Sequence, residues 1–173
     1  MKVISQLILK FLLVLAFLTE AVAIISGAGI AAVVLVKFIK PSLVHLHVDI
    51  YDIQVTDKLF AADFGTFLML LILALLLLIS LGLGANSLRQ LIFKILHKQY
   101  FTVTNLRLVR LILGCSGMVV ATQILWQLEL LLHNESLKLS NLGLMLIVTA
   151  IIYVLELLFA HGVQLQLDNE SLI

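Results

Sequence analysis

Four long apolar runs, at residues 11–36, 64–85, 111–132 and 142–160, leave this chain few folds to choose from. Each is close to the roughly 17–25 residues that a helix needs to cross a bilayer. A soluble core would explain any single run, but four would leave too little polar surface to cover them, with 62% of the residues hydrophobic. The expectation is an all-α fold, a polytopic membrane four-helix bundle forming one integral domain over residues 1–173. Helices of this length satisfy their own backbone hydrogen bonds in a medium that offers none.

Orientation follows from the sorting of charge rather than from its total, which is only +1. Lysine and arginine stay preferentially on the cytoplasmic side of a membrane. The segment between the second and third runs holds Arg89, Lys94, Lys98, Arg107 and Arg110 and no acid. Lys2 and Lys10 bring that side to seven of the 11 basic residues. The other side holds Lys37, Lys40, Lys58 and Lys138, diluted by Asp49, Asp52, Asp57, Asp63 and Glu135. Both termini are therefore expected in the cytoplasm. Ala21-Val22-Ala23 resembles a signal-peptide cleavage site, but the apolar stretch continues to Val36, longer than a signal core. It reads as an uncleaved first helix.

Pro41 ends that helix by Lys40, because helical geometry is disfavoured in the residue before a proline. Beyond it, Val44, Leu46, Val48 and Ile50 alternate with His45, His47, Asp49 and Tyr51. A period of two marks a half-exposed strand, so a short extracellular β-like segment is expected between helices 1 and 2. His45, His47 and Asp49 share one face, a set that would suit zinc. A solvated polar face accounts for the same residues, and no metal or other cofactor is assigned.

Leu88, Leu91, Ile92, Ile95 and Leu96 recur at helical spacing, with Arg89, Gln90, Lys94, His97 and Lys98 on the other side. This predicts an amphipathic cytoplasmic helix near residues 86–98, continuing the second span or lying in the headgroup layer. Arg89, Lys94, Lys98, Arg107 and Arg110 are accordingly the candidates for docking anionic lipid or an acidic partner protein. Basic residues without interleaved aromatics do not ask for nucleic acid. Thr102 and Thr104 both offer N-caps for the third helix. The short connection at 133–141 makes the third and fourth spans an antiparallel hairpin. Its Asn134-Glu135-Ser136 fits the glycosylation triplet, a match common by chance.

Glu20, Glu129 and Glu156 fall inside apolar runs. There an acid costs roughly 2.5–3.5 kcal/mol on insertion scales and normally faces the bundle with a partner. Glu129 is near the outer end of its span. Glu156 is expected to pair with Arg110 or Arg107. Glu20 has no evident cation nearby and would be protonated or bond to Gln123 or Thr149. Glu20, Gln123 and Glu156 thus form either a proton or cation relay or a polar clamp between helices. The clamp fits better, since transporters are built from longer chains with repeats and broken helices. Ser26-Gly27-Ala28-Gly29 reads as a small-residue packing seam. Cys115, the one cysteine, can form no intrachain disulfide. No nucleophile with its base, phosphate loop or metal-ligand helix is present, so an enzyme is not expected.

Two stretches carry a resemblance. Phe101-Thr102-Val103-Thr104-Asn105-Leu106, followed by Arg110 and Ile112, is similar to the Phe-Ser/Thr-x-x-Asn start of a third span. Leu155-Glu156, Phe159, Gly162 and Leu165, then Asp168-Asn169-Glu170, are similar to the closing segment of the same group. That group is an uncharacterised bacterial four-span membrane protein family, domain of unknown function 2975. The likeness covers essentially the whole chain and rests on Phe101, Thr102, Asn105, Phe159 and Gly162. The chain departs at its end, where Ser171-Leu172-Ile173 replaces the group's Leu-Thr-aliphatic close. The resemblance implies a bacterial cell (inner) membrane and no established activity. Genes of the group often neighbour a small helix-turn-helix regulator, which implies a membrane partner or sensor for a transcriptional regulator.

The leading expectation is a non-enzymatic membrane protein acting through its cytoplasmic face on such a partner, with residues 161–173 alongside the loop cations. Self-association within the bilayer is open. The alternative is a small transporter or a bacteriocin-immunity-type protein in which Glu20 and Glu156 contact an ion or a membrane-active peptide.

Overall fold

The computed structural model describes residues 2–39, 48–50, 53–55, 64–132 and 140–170. They form helix α1 (Lys2–Ile39), strands β1 (Val48–Ile50) and β2 (Ile53–Val55), and helices α2 (Phe64–Leu96), α3 (Val103–Leu132) and α4 (Ser140–Glu170). The strands pair antiparallel, with Asp49 opposite Gln54. His45 and His47 lie outside the described residues. Each helix contains 26 or 27 consecutive residues apolar enough to cross a membrane, about 40 Å at 1.5 Å per residue. This is a multi-pass membrane protein.

The helices lie in a row. α2 packs against α1 and α3, and α3 against α4, while α1 and α4 share no packing among the described residues. Burial follows that order: 28% and 22% of the spans in α2 and α3 are buried, against 11% in α1 and 6% in α4. Leu73, Leu77, Leu78, Leu91 and Ile92 of α2 meet Ala16 and Ala23 of α1 and Val109, Val120 and Trp126 of α3 in a narrow apolar core. Outward-facing leucines and isoleucines such as Ile25, Leu144 and Ile147 are more than half exposed, as expected where lipid is the solvent. Between α1 and α4 the row encloses an open apolar groove of about 370 Å³, walled by Leu12, Ala16, Leu144 and Val148 over Gly84 and Cys115.

Small residues permit the close approaches, though not the expected ones. A side chain on Gly82 would touch Ala23, and one on Gly84 would press on Cys115 at 3.4 Å. Gly27 and Gly29 have nothing within 4 Å, so the Ser26–Gly29 stretch forms no seam with the described residues. Hydroxyls buried along the helices return to the backbone one turn earlier: Ser87 to Leu83 O at 2.8 Å, Thr149 to Met145 O at 2.9 Å, and Thr122 to Met118 O. That satisfies them where water is scarce.

At one end every helix runs well past its apolar run: back from residue 11 to Lys2, on from 85 to Leu96, back from 111 to Val103, and on from 160 to Glu170. These are extensions of 8 to 11 residues, or about 12–16 Å of helix. At the other end the described parts of the helices reach no more than about three residues past the runs. The segment 86–98 is therefore the end of α2, its apolar face buried against α1 and α3 rather than spread on a headgroup layer. The α2–α3 register is testable with the native thiol. Gly84→Cys should form a disulfide with Cys115 on mild oxidation, because the β-carbons fall near the 3.5–4.5 Å a disulfide requires. Maleimide mass labelling should find no free thiol in the oxidised variant; two labelled thiols would refute the register.

Candidate functional site

Among the described residues, both ion pairs and the most closely hydrogen-bonded turn lie at the extended, basic end. α2 and α3 pass each other at Gly84 and Cys115. Arg89 lies five residues beyond the first and Arg110 five before the second, so both arginines sit at one depth, about 7 Å from the crossing. Each meets an acid of the neighbouring outer helix. Arg110 Nε donates to Glu156 Oε1 at 2.8 Å, and Arg89 Nε stands 3.4 Å from Glu20 Oε2. The first contact is a charge-assisted hydrogen bond. The second is an ion pair without hydrogen-bond geometry. Asn86 orients Arg89 by accepting from its Nη2 at 3.1 Å.

Below this charge layer the turn between α2 and α3 is closely built. Lys98 adopts the left-handed conformation, φ 62°. Lys98 N donates to Ile95 O and Gln99 N to Lys94 O, both at 3.0 Å. This is the Schellman pattern that ends helices and usually places glycine where Lys98 stands. Thr102 Oγ1 then caps α3 by accepting from Asn105 N at 3.2 Å. Asn105 is fully buried, and its Nδ2 donates to Gln99 O at 2.6 Å and Tyr100 O at 2.7 Å. One amide side chain thus satisfies two turn carbonyls that have no helical partner.

The same corner is tied to α4. The Phe101 ring lies 5.7 Å from that of Phe159, tilted by 54°. It also lies directly over Gly162, where any β-carbon would overlap the ring. Phe101, Thr102, Asn105, Phe159 and Gly162 are therefore one assembly, although a span and a half of sequence separates its two halves.

The expected polar contacts are only partly brought together. Arg110, not Arg107, holds Glu156. Glu20 has a cation after all, Arg89, and not Gln123 or Thr149. Thr149 instead meets Ser116 at 2.6 Å. Gln123 is buried in α3, 13 residues from Arg110, about 20 Å along the helix. Among the described residues no chain of hydrogen bonds joins Glu20, Gln123 and Glu156. Of the five docking cations, Arg89 and Arg110 are engaged within the bundle, while Lys94, Lys98 and Arg107 enter no ion pair among the described residues. The side chain of Glu129 lies outside the described residues. Asn86 and Ser116 were not foreseen; only Asn86 left a signal, its spacing of three from Arg89 on a helix.

Among the described residues no three histidines, cysteines or acids gather as metal ligands. No family model matches the chain, and neither a curated protein nor a solved structure matches it.

Two stability outcomes follow. Gly162→Ala should destabilise the protein by about 1–3 kcal/mol, the usual cost of overpacking. Phe101→Ala should relieve part of that loss, so the double variant should melt above the sum of the single effects in thermal unfolding in mild detergent. Strict additivity would separate the two residues. At the charge layer, Arg89→Gln should cost about 1–2 kcal/mol by stranding a carboxylate that is 22% exposed. Glu20→Gln should cost less, and the double variant should recover toward it. A Glu20→Gln protein less stable than Arg89→Gln would contradict the pairing.

Proposed function

We propose that this chain is a non-enzymatic multi-pass membrane protein that docks a partner protein on its basic end, with both termini and that end in the cytoplasm. The orientation is supported by seven of 11 basic residues lying at that end. The β1–β2 segment would then lie outside. The observation that carries the reading is the basic end itself: there all four helices continue 8 to 11 residues past the apolar runs of the sequence, into segments that carry most of the cations. Its central corner is pinned by Asn105 and by the Phe101–Gly162 contact. A fixed surface of this kind keeps low the ordering cost of binding.

Lys98 and Arg107 are exposed cations at this end. On the α4 extension Leu165 and Leu167 are exposed at 60% and 52%. Charge for steering beside apolar anchors is the usual composition of a recognition surface. By the family resemblance, the partner is a small helix-turn-helix regulator and the membrane that of a bacterial cell. The transporter or immunity reading draws less support. Both of its acids are already paired with an arginine within the bundle.

The test is crosslinking and capture from native membranes, comparing the intact chain with Lys98→Gln/Arg107→Gln. This variant leaves both ion pairs of the bundle in place. A small DNA-binding protein should be recovered with the intact chain and fall by about tenfold with the variant, two lost charges at a close contact. Equal recovery from both would overturn the docking surface.

A further inference from the structure

On the outer face of α1 and α2, opposite the groove, lies a second and more polar recess. A cleft of about 330 Å³ is lined by Leu13, Arg89, Gln90, Phe93 and Lys94. It sits where apolar sequence gives way to polar: Leu13 is two residues into the first apolar run, and Lys94 is nine past the end of the second. Lys10 stands one turn from Leu13 on the same face of α1. Two cations thus line the cleft with a third one turn away, and Glu20 offsets one of them.

The face below the cleft is of another kind. On α2, positions seven apart share a face, running from Phe93 through Asn86 to Ile79 and Ile72. Phe93, Ile79 and Ile72 are exposed at 57%, 56% and 49%. On α1, Phe17 lies one turn beyond Leu13 and is exposed at 55%. A polar, cationic head therefore opens onto two apolar tracks that descend into the membrane. That is the chemistry of a phospholipid and not of a free anion. Basic recesses between membrane helices at this depth are known headgroup sites.

We propose that this cleft binds one anionic phospholipid, its phosphate against Lys94 and Arg89 and its acyl chains along Phe17 and Ile79. Gln90 and Asn86 border the headgroup. Lys94 enters no ion pair among the described residues and supplies the charge that selects an anionic lipid. Arg89, divided between Glu20 and Asn86, holds the position of the site. The inference holds whichever leaflet the basic end faces, and it stands apart from the docking of a protein partner.

The experiment is native mass spectrometry of the full chain in detergent with equimolar phosphatidylglycerol and phosphatidylcholine. One adduct selective for phosphatidylglycerol is expected. Lys94→Gln should weaken it about fivefold, the effect of one cation near an anionic surface, with unchanged thermal unfolding because the Glu20–Arg89 pair is intact. Lys10→Gln should have a smaller effect in the same direction, and Lys98→Gln/Arg107→Gln none. Excess soluble glycerol phosphate should not displace the lipid. Equal retention of both lipids, an unaltered adduct in Lys94→Gln, or displacement by glycerol phosphate would each overturn the proposal.

Discussion

The outer helices are held in register by two arginine–carboxylate contacts made at one depth. Packing adds to this through Ala16 and Ala23 of α1 and the Phe101–Gly162 contact of α4, but most of the remaining surface of both helices is leucine, isoleucine and valine turned to lipid. Such surfaces tolerate sliding by a turn, 5.4 Å. Arg89 and Arg110 both belong to the central hairpin, and both acids to the helices beside it. A slip of one turn in either outer helix would part a carboxylate from its guanidinium and leave the acid facing hydrocarbon. The cost, about 1–2 kcal/mol for each stranded carboxylate, exceeds what a few exchanged aliphatic contacts return.

The hairpin must itself be rigid for this to work, and its rigidity comes from the corner. Asn105 closes the turn from within, the Schellman contacts end α2, and Thr102 begins α3. Phe101 then extends the same corner onto α4 through the space left by Gly162. The charge layer and the corner lie about two helical turns apart on one end of the molecule. The opposite end has no comparable side-chain framework among the described residues.

Hydropathy located the helices well at that opposite end, where their described parts keep to within about three residues of the apolar runs. It underestimated them at the basic end, because there helix length is decided by tertiary packing. Leu91, Ile92, Val109 and Val163 are buried beyond the runs by neighbouring helices, and a window average over basic residues conceals them. The partner of Glu156 was legible because an antiparallel hairpin places Arg110 opposite it. The partner of Glu20 was not, since Arg89 reaches it only when α2 continues unbroken past Ala85. Small residues at Ser26–Gly29 told that a close approach was possible there, not that any helix makes it. Phe101 and Gly162 were visible as separate motifs. That a ring occupies the space of a missing side chain is a three-dimensional fact with no linear trace.

Lys98 carries one more implication. Its left-handed backbone is a conformation that glycine enters freely and that costs an L-residue about 1–2 kcal/mol. Of all the positions in the turn, the chain has placed a cation at the one where side-chain chemistry is most penalised. Natural selection acts on the sum of such handicaps and gains. Glycine at this site would make a sturdier protein from which a single positive charge had been subtracted, so stability and charge pull the choice of residue in opposite directions.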